Sequence, residues 1–406
     1  MKILMISDVY FPRVNGVSTS IATYRRELEE RGHEVHLIAP DYDGVTTDDE
    51  FRIRRVPARH LPFDPEDRML RAACVLIERE TLRDEEFDLI HIQTPFVAHY
   101  LGVKLAKELG IPRVETYHTY FEEYLYHYLP FVPKGAARYL ARSLSRRQCN
   151  DLDALVVPSS GMLEVLRGYG IQTHAEIIPT GMPADNFIHG DGPAFRARYG
   201  IAPQRPVMLY VGRVAFEKNI GFLLKMTARI KQEMPEVLLL VAGEGPALGS
   251  LKRKAEQLGL SDNVLFVGYL DRKRELPDCY RAANLFTFSS RTETQGLVLL
   301  EAMAQGVPVL ALAEMGTRDV LREGQGALIA SHEVEDFAAK ALSLLRAPHA
   351  AMNLGKLGRE YAGGWTAGAL AEKKLDFYQR TIDRHLEVPT RAQSFTPTAC
   401  LSTSDD

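Results

Sequence analysis

Residues 284–306 read NLFTFSSRTETQGLVLLEAMAQG. Asn284–Phe288 is a short run rich in aromatic and β-branched side chains, which suits a strand. A polar loop follows, Ser289-Ser290-Arg291-Thr292-Glu293-Thr294-Gln295-Gly296. From about Gly296 to Gln305 the pattern is helical and almost wholly apolar. A strand that feeds a helix through such a loop is half of a parallel β–α–β unit. Working outward, the unit recurs: Val207–Val211, Val237–Ala242 and Asn263–Val267 precede it, and Val307–Leu312 follows it. Strand, helix, strand in this order means parallel pairing through right-handed crossovers.

The first half of the chain repeats the rhythm. Strands are expected at Ile3–Ile6, Val35–Ala39, Asp88–Ile92, Arg113–Tyr117, Ala154–Val157 and Glu176–Ile178. Val17, Ile21, Tyr24 and Leu28 place one apolar face on a helix, and Gly32 supplies its stop. The expected fold class is α/β, with two doubly wound, Rossmann-like domains. Residues 1–182 make the first domain and 206–363 the second. Residues 183–205, rich in Gly, Pro, Asp and Ala, read as a linker with one short helix. Ala371, Leu375, Tyr378 and Ile382 mark a last helix over 364–388. The Ser- and Thr-rich stretch 389–406 reads as a disordered tail.

Composition narrows the function classes. The 406 residues hold 46% hydrophobic and 25% charged side chains, the balance of a soluble globular protein. The net charge of −4 gives no cationic field for nucleic acid. No apolar run approaches the ~18 residues of a membrane span, and Ile3–Ile6 is too short for a signal-peptide core. A cytoplasmic protein is expected. Cys74, Cys149, Cys279 and Cys400 lie far apart without a CxxC pair, which favours reduced thiols over disulfides or zinc.

In an open parallel sheet, ligands sit beyond the carboxyl ends of the strands. Val207–Val211 ends in Gly212-Arg213, and Lys218 follows five residues later. A guanidinium fork and a compact ammonium suit a multivalent anion. After Asn284–Phe288, the helix opening at Gly296 offers outward N–H groups and the positive end of its dipole. Glu293 stands in the loop, and Glu301 lies within an otherwise apolar helix, where a lone carboxylate needs a partner. Carboxylates accept hydrogen bonds from paired sugar hydroxyls. Two cations, a helix N-terminus and two carboxylates suit a nucleoside-diphosphate sugar.

Three motifs carry a resemblance: Gly-Arg…Glu-Lys-Asn at 212–219, Val-Ala-Gly-Glu-Gly-Pro at 241–246, and Glu293-x7-Glu301 followed by Ala302-Met303-Ala304-x-Gly306-x-Pro308-Val309. Together they resemble retaining glycosyltransferases of family 4, from Met1 to roughly His385. The resemblance implies the GT-B fold, with the last helix crossing back to the first domain. It implies a nucleotide-sugar donor in the second domain. Arg213, Lys218 and the helix N-terminus at Gly296 can replace a metal, and Asp151-x-Asp153 enters a strand rather than leaving one, so no cofactor or metal is expected. By motif match, Gly212, Arg213 and Lys218 hold the diphosphate and Glu301 the ribose. Glu293 contacts the transferred sugar, and Gly296 and Leu297 meet the distal phosphate. The base lies near Gly243–Pro246, at Gly245, and near Gly268–Leu270, at Tyr269 and Leu270. In the first domain such enzymes carry a glycine-rich turn; here Asn15-Gly16 stands there, so Gly16 takes the role. His118, just beyond a strand end, is placed beside the sugar and acceptor. His118, Glu293, Arg213 and Lys218 are the expected catalytic set. Front-face attack is implied, with the leaving phosphate helping to deprotonate the acceptor.

The acceptor side is expected from two further features. Tyr117–Pro130 (YHTYFEEYLYHYLP) is strongly aromatic. Lys134, Arg138, Arg142 and Arg146 recur every four residues, with Arg147 beside them and Leu140 and Leu144 as an apolar strip. Such a helix suits an anionic membrane surface. The His-Thr and aromatic segment resembles glucosyltransferases that act on diacylglycerol. The expectation is a hexose, glucose on uridine diphosphate, passed to a lipid acceptor, with the 134–147 helix touching the inner face of the cell membrane. Three alternatives stay open: a transferase for a soluble or polysaccharide acceptor, a related epimerase, and a non-catalytic nucleotide-sugar sensor.

Overall fold

The computed structural model describes residues 1–42, 44, 51–61, 64–77, 79–118, 134–272 and 274–387. Two parallel sheets dominate it. The first runs Ile53–Val56, Glu34–Pro40, Lys2–Ile6, Leu89–Ile92, Arg113–Thr116, Ala154–Val157, Ala175–Ile177. The second runs Val264–Gly268, Leu238–Ala242, Val207–Val211, Leu285–Phe288, Val309–Leu312, Ala327–Ala330. Every neighbouring pair within both sheets is parallel. The central strands are buried on both faces, as in Val-Met-Leu-Tyr-Val at 207–211, which helices on either side of a parallel sheet require. The architecture is GT-B.

Some elements differ from the sequence expectation. Strand Ile53–Val56 and the hairpin of Ala58–Leu61 with Asp64–Leu70 fall in a segment whose charges hide the alternation. Strand Ala327–Ala330 is likewise additional; it is four residues long and bounded by Gly326 and Ser331. Residues 183–205 carry a one-turn helix, Ala184–Phe187, and a second helix, Gly192–Arg198. The second lies so close to helix Glu275–Ala282 that a Cβ on Gly192 would stand 2.3 Å from the carbonyl oxygen of Arg281.

The last helix, Ala367–Glu387, leaves the second lobe and completes the first. Ala371, Phe377 and Tyr378 are buried with Ile3, Met5, Val35, Leu89, Val114, Ala154 and Val156. The chain thus crosses between lobes twice, and the crossings touch. The Met182 N–H donates to the Trp365 carbonyl at 2.8 Å, and the Ala367 N–H to the Met182 carbonyl at 2.9 Å. Gly181 permits this approach, since a Cβ there would lie 2.4 Å from Ala367 Cα. The stretch 389–406 lies outside the described residues.

Candidate active site

The order of the second sheet reverses between Val207–Val211 and Leu285–Phe288. Loops leaving these two strands diverge, and a crevice opens between them. They are residues 212–219 and 289–296, the two stretches that carry the motif residues. The loops are stitched together at their roots. Asn219 Nδ2 donates to the Ser289 carbonyl at 3.2 Å, and Ser289 Oγ donates to the Asn219 carbonyl at 3.0 Å. Asn219 holds a left-handed conformation (φ 55°), which asparagine tolerates better than most residues. Within this frame Lys218 Nζ donates to Glu293 Oε2 at 2.6 Å. Tyr210, buried below, donates its hydroxyl to the Arg213 carbonyl at 3.1 Å. Burial, and then the charges of Glu293 and Glu217, hold that phenol far above its usual range. The Arg213 side chain is half-buried at the same strand end.

Glycine backbone forms the rim. A Cβ on Gly243 would lie 2.0 Å from the Gly212 carbonyl oxygen, and one on Gly245 would lie 2.5 Å from that of Val214. Gly243 N–H donates to the Gly268 carbonyl at 2.8 Å, which brings the third loop alongside. There Tyr269 is half exposed and Leu270 is buried. Gly296 (φ 93°) opens helix Leu297–Ala304, and no side chain caps it.

Glu301, 5% exposed, has found the partner its apolar helix demanded. Tyr280 Oη donates to Glu301 Oε2 at 2.9 Å, and the Arg272 guanidinium pairs with Oε1. Arg272 comes from the loop after Val264–Gly268, beside Tyr269. The sequence reading misses it, although a search for the cation that balances Glu301 leads there.

In the first lobe the order reverses between Lys2–Ile6 and Leu89–Ile92. Helix Gly16–Glu30 starts at this switch point. Asn15 caps it, its Oδ1 accepting the Ser18 N–H at 2.9 Å. Gly16 has open space where a Cβ would stand. His118 Nε2 is 3.2 Å from Gln93 Oε1. Burial, and then the Lys374 charge, push its imidazole down to about 3, so it is neutral at physiological pH. His91 is spoken for at both ring nitrogens, by Thr116 Oγ1 at 2.7 Å and Tyr378 Oη at 2.6 Å. Lys374, on the last helix, is fully buried with Nζ 3.3 Å from the Tyr24 ring centroid. Asp8 accepts from Thr94 Oγ1, Ala98 N–H and Leu70 N–H, and burial pushes it up to about 6.

The lobes also meet across the crevice. Gln295 bonds both backbone groups of Thr180. Asp319 Oδ2 accepts the Ser160 N–H at 2.5 Å, and Arg318 pairs with Glu164 at 3.1 Å. Helix Lys134–Asn150 presents Arg142, Arg146 and Arg147 to solvent, with Tyr139 75% and Leu140 52% exposed. Residues 119–133, most of the aromatic segment, lie outside the described residues. Among the described residues no helix is long and apolar enough to cross a membrane, and no three His, Cys, Asp or Glu gather as a metal site requires.

Residues 14–186 match the family described as Glycosyltransferase Family 4, and residues 191–361 match Glycosyl transferases group 1. An alpha-monoglucosyldiacylglycerol synthase of Streptococcus pneumoniae is 34% identical over 77% of this chain and 71% of its own. Another, from Acholeplasma laidlawii, is 27% identical over 76% of this chain and 80% of its own. A D-inositol 3-phosphate glycosyltransferase of Catenulispora acidiphila is 29% identical over 91% and 90%. Among solved structures, sucrose-phosphate synthase from Thermosynechococcus elongatus has a TM-score of 0.77 at 22% identity, covering 94% of this chain and 99% of that one.

Proposed function

The chain belongs to glycosyltransferase family 4, and on that footing we propose that it passes a hexose, most simply glucose from a uridine-diphosphate donor, to a lipid hydroxyl such as that of diacylglycerol. The observation that carries the donor half is the contact of Lys218 with Glu293 at the switch point. Without donor, the two charges neutralise each other. With donor, the ammonium turns to diphosphate oxygens, and the carboxylate is released to accept sugar hydroxyls. A partly exposed pair of this kind contributes at most about 1 kcal/mol net. The exchange therefore costs little, because each charge leaves one partner for another.

As the glycosidic bond breaks, negative charge grows on the departing diphosphate. Lys218, Arg213 and the N-terminal end of helix Leu297–Ala304 are fixed positive groups around it, and such preorganised charge lowers the barrier. They supply the charge a metal ion would otherwise bring. Gly212 and Gly16 let backbone approach the phosphates, while Gly245 lies near the base. Glu301 holds the ribose, with Tyr269 and Leu270 near the base. Leu297 donates from its N–H. On this reading attack runs on the front face, with the leaving phosphate helping to deprotonate the acceptor hydroxyl and the configuration at the anomeric carbon retained. Neutral His118 acts as a hydrogen-bonding group beside the sugar and acceptor.

Similarity to two monoglucosyldiacylglycerol synthases supports the lipid acceptor, as does the exposed Tyr139–Leu140 pair beside Arg142, Arg146 and Arg147. Near an anionic surface each cation contributes about 1 kcal/mol. The site of action is then the inner membrane face. Similarity to an inositol-phosphate glycosyltransferase over most of the chain supports a second reading, a soluble acceptor. The test is incubation with uridine- and guanosine-diphosphate sugars and a lipid extract, with products identified by mass spectrometry. A glycolipid is expected, and a product on a soluble polyol alone would favour the second reading. Release of free sugar alone, or nothing from any donor, would sink both.

A further inference from the structure

We propose that Gln295 is a positioning residue that fixes the donor loop to the inter-lobe hinge. The proposal rests on the transferase reading above. Gln295 is 7% exposed and stands between Glu293 and Gly296. Its amide uses both ends on one backbone unit of the other lobe. The Thr180 N–H donates to Oε1 at 2.8 Å, and Nε2 donates to the Thr180 carbonyl at 2.6 Å. This is the two-bond pairing of a β-ladder, made by a side chain.

Thr180 is itself anchored in the first lobe. Its hydroxyl donates to Ser20 Oγ at 2.7 Å, and Tyr24 Oη donates to the Pro179 carbonyl at 2.7 Å. Ser20 and Tyr24 belong to helix Gly16–Glu30, whose start faces the crevice. Two residues beyond Thr180, Met182 pairs with Trp365 and Ala367, where the chain crosses back. Gln295 therefore docks on the point about which the lobes turn.

On the donor side the loop is held from behind. The Gly316 N–H donates to the Glu293 carbonyl at 3.0 Å, and a Cβ on Gly316 would lie 2.0 Å from the Thr294 carbonyl oxygen. Gripped by Gly316 on one side and by Thr180 on the other, residues 293–296 cannot shift without moving the hinge. Apart from the Gly16 turn, the donor contacts proposed above all lie in the second lobe. Transfer needs the helix start at Gly16 and the group His118 brought to Glu293, and misplacement by 1 Å costs on the order of a hundredfold. Gln295 thus bears on turnover rather than on donor affinity, a split that a merely structural residue would not produce.

The single tryptophan reports the hinge directly, because Trp365 lies at the crossing. The experiment takes the full chain with Gln295→Met, which removes both bonds at similar volume, and Gln295→Glu, which keeps the acceptor for Thr180 N–H. Affinity for uridine and guanosine diphosphate is measured by calorimetry, Trp365 emission on adding each, and kcat with the donor the wild type uses. Both variants are expected to bind the diphosphate within about threefold of wild type and to lose ten- to a hundredfold in kcat. Their nucleotide-induced emission change should disappear. Should Gln295→Met not fold, Gln295→Glu decides. Wild-type kcat and emission response in a variant overturn the proposal. So does a parallel fall of affinity and kcat, or a wild type whose emission ignores nucleotide. A wild type that turns over no nucleotide sugar instead refutes the transferase reading, and this proposal with it.

Discussion

Lys218 Nζ and Glu293 Oε2 stand 2.6 Å apart, with roughly a fifth of each side chain exposed. One residue comes from the loop after Val207–Val211 and the other from the loop after Leu285–Phe288. The pair is therefore a link across the switch point of the second sheet. Partly exposed pairs contribute at most about 1 kcal/mol to stability, so its place at this mouth points to ligand binding.

Lys218→Ala and Glu293→Ala are each expected to lower kcat at least a hundredfold, the scale of lost transition-state charge stabilisation. The melting temperature should fall only a few degrees. Transfer assays beside thermal unfolding check this. Near-normal turnover in either variant would remove the site.

Glu301→Ala strands two groups at once, the Arg272 guanidinium and the buried Tyr280 hydroxyl. A loss of about 2–4 kcal/mol in stability is expected, with nucleoside-diphosphate affinity down at least tenfold. Tyr280→Phe removes one hydrogen bond and should cost about 1 kcal/mol. Denaturant titration and calorimetry measure the two effects separately. Unchanged nucleotide affinity in Glu301→Ala would free this carboxylate from any ribose role.

Two glycines should respond oppositely to alanine. A Cβ at Gly243 collides with the Gly212 carbonyl oxygen, and its φ of 137° is strained for any other residue. Gly243→Ala should cost about 3 kcal/mol or more. Gly16 has open space and begins a helix, so Gly16→Ala should leave the melting temperature unchanged or slightly raised. If phosphate approaches that turn, transfer still falls. Wild-type transfer in Gly16→Ala would take the turn out of the donor site.

Asp8 gives a pH signature of known sign. Burial raises its carboxyl from 3.8 to about 6, so between these values the folded state binds the extra proton. Its contribution is full below pH 4 and is lost as pH rises through 6, by about 3 kcal/mol. At pH 7 it is ionised and satisfied by Thr94, Ala98 and Leu70. Asp8→Asn should destabilise the protein at pH 7 and flatten the stability profile between pH 4 and 6. Melting curves at half-unit pH steps show it. An identical profile in Asp8→Asn would rule out this titration.

Much of this architecture is legible in the amino acids alone. Apolar strand cores such as Leu285–Phe288 set the sheets, and the spacing of Gly212, Lys218, Glu293 and Glu301 sets the candidate site. The need of Glu301 for a partner follows from its apolar helix, but nothing in the chain order names Arg272. It reaches Glu301 across loops whose juxtaposition depends on strand order. Gln295 lies inside the motif without standing out, because an amide in a polar loop looks solvated until Thr180 is placed against it. Lys374 is hidden for a similar reason. A lysine among charged neighbours on a terminal helix reads as a solvent-facing residue, whereas helix Ala367–Glu387 turns it onto Tyr24.

That terminal helix has a consequence for synthesis. Phe377 and Tyr378 close the apolar surface around Ile3, Met5 and Ala154. When the ribosome has finished residues 1–182, this face is still open, and it stays open through almost the whole of the second lobe. The lobe translated first is thus completed last, and a nascent chain stopped short of residue 367 carries an uncovered greasy face that chaperones would have to shield.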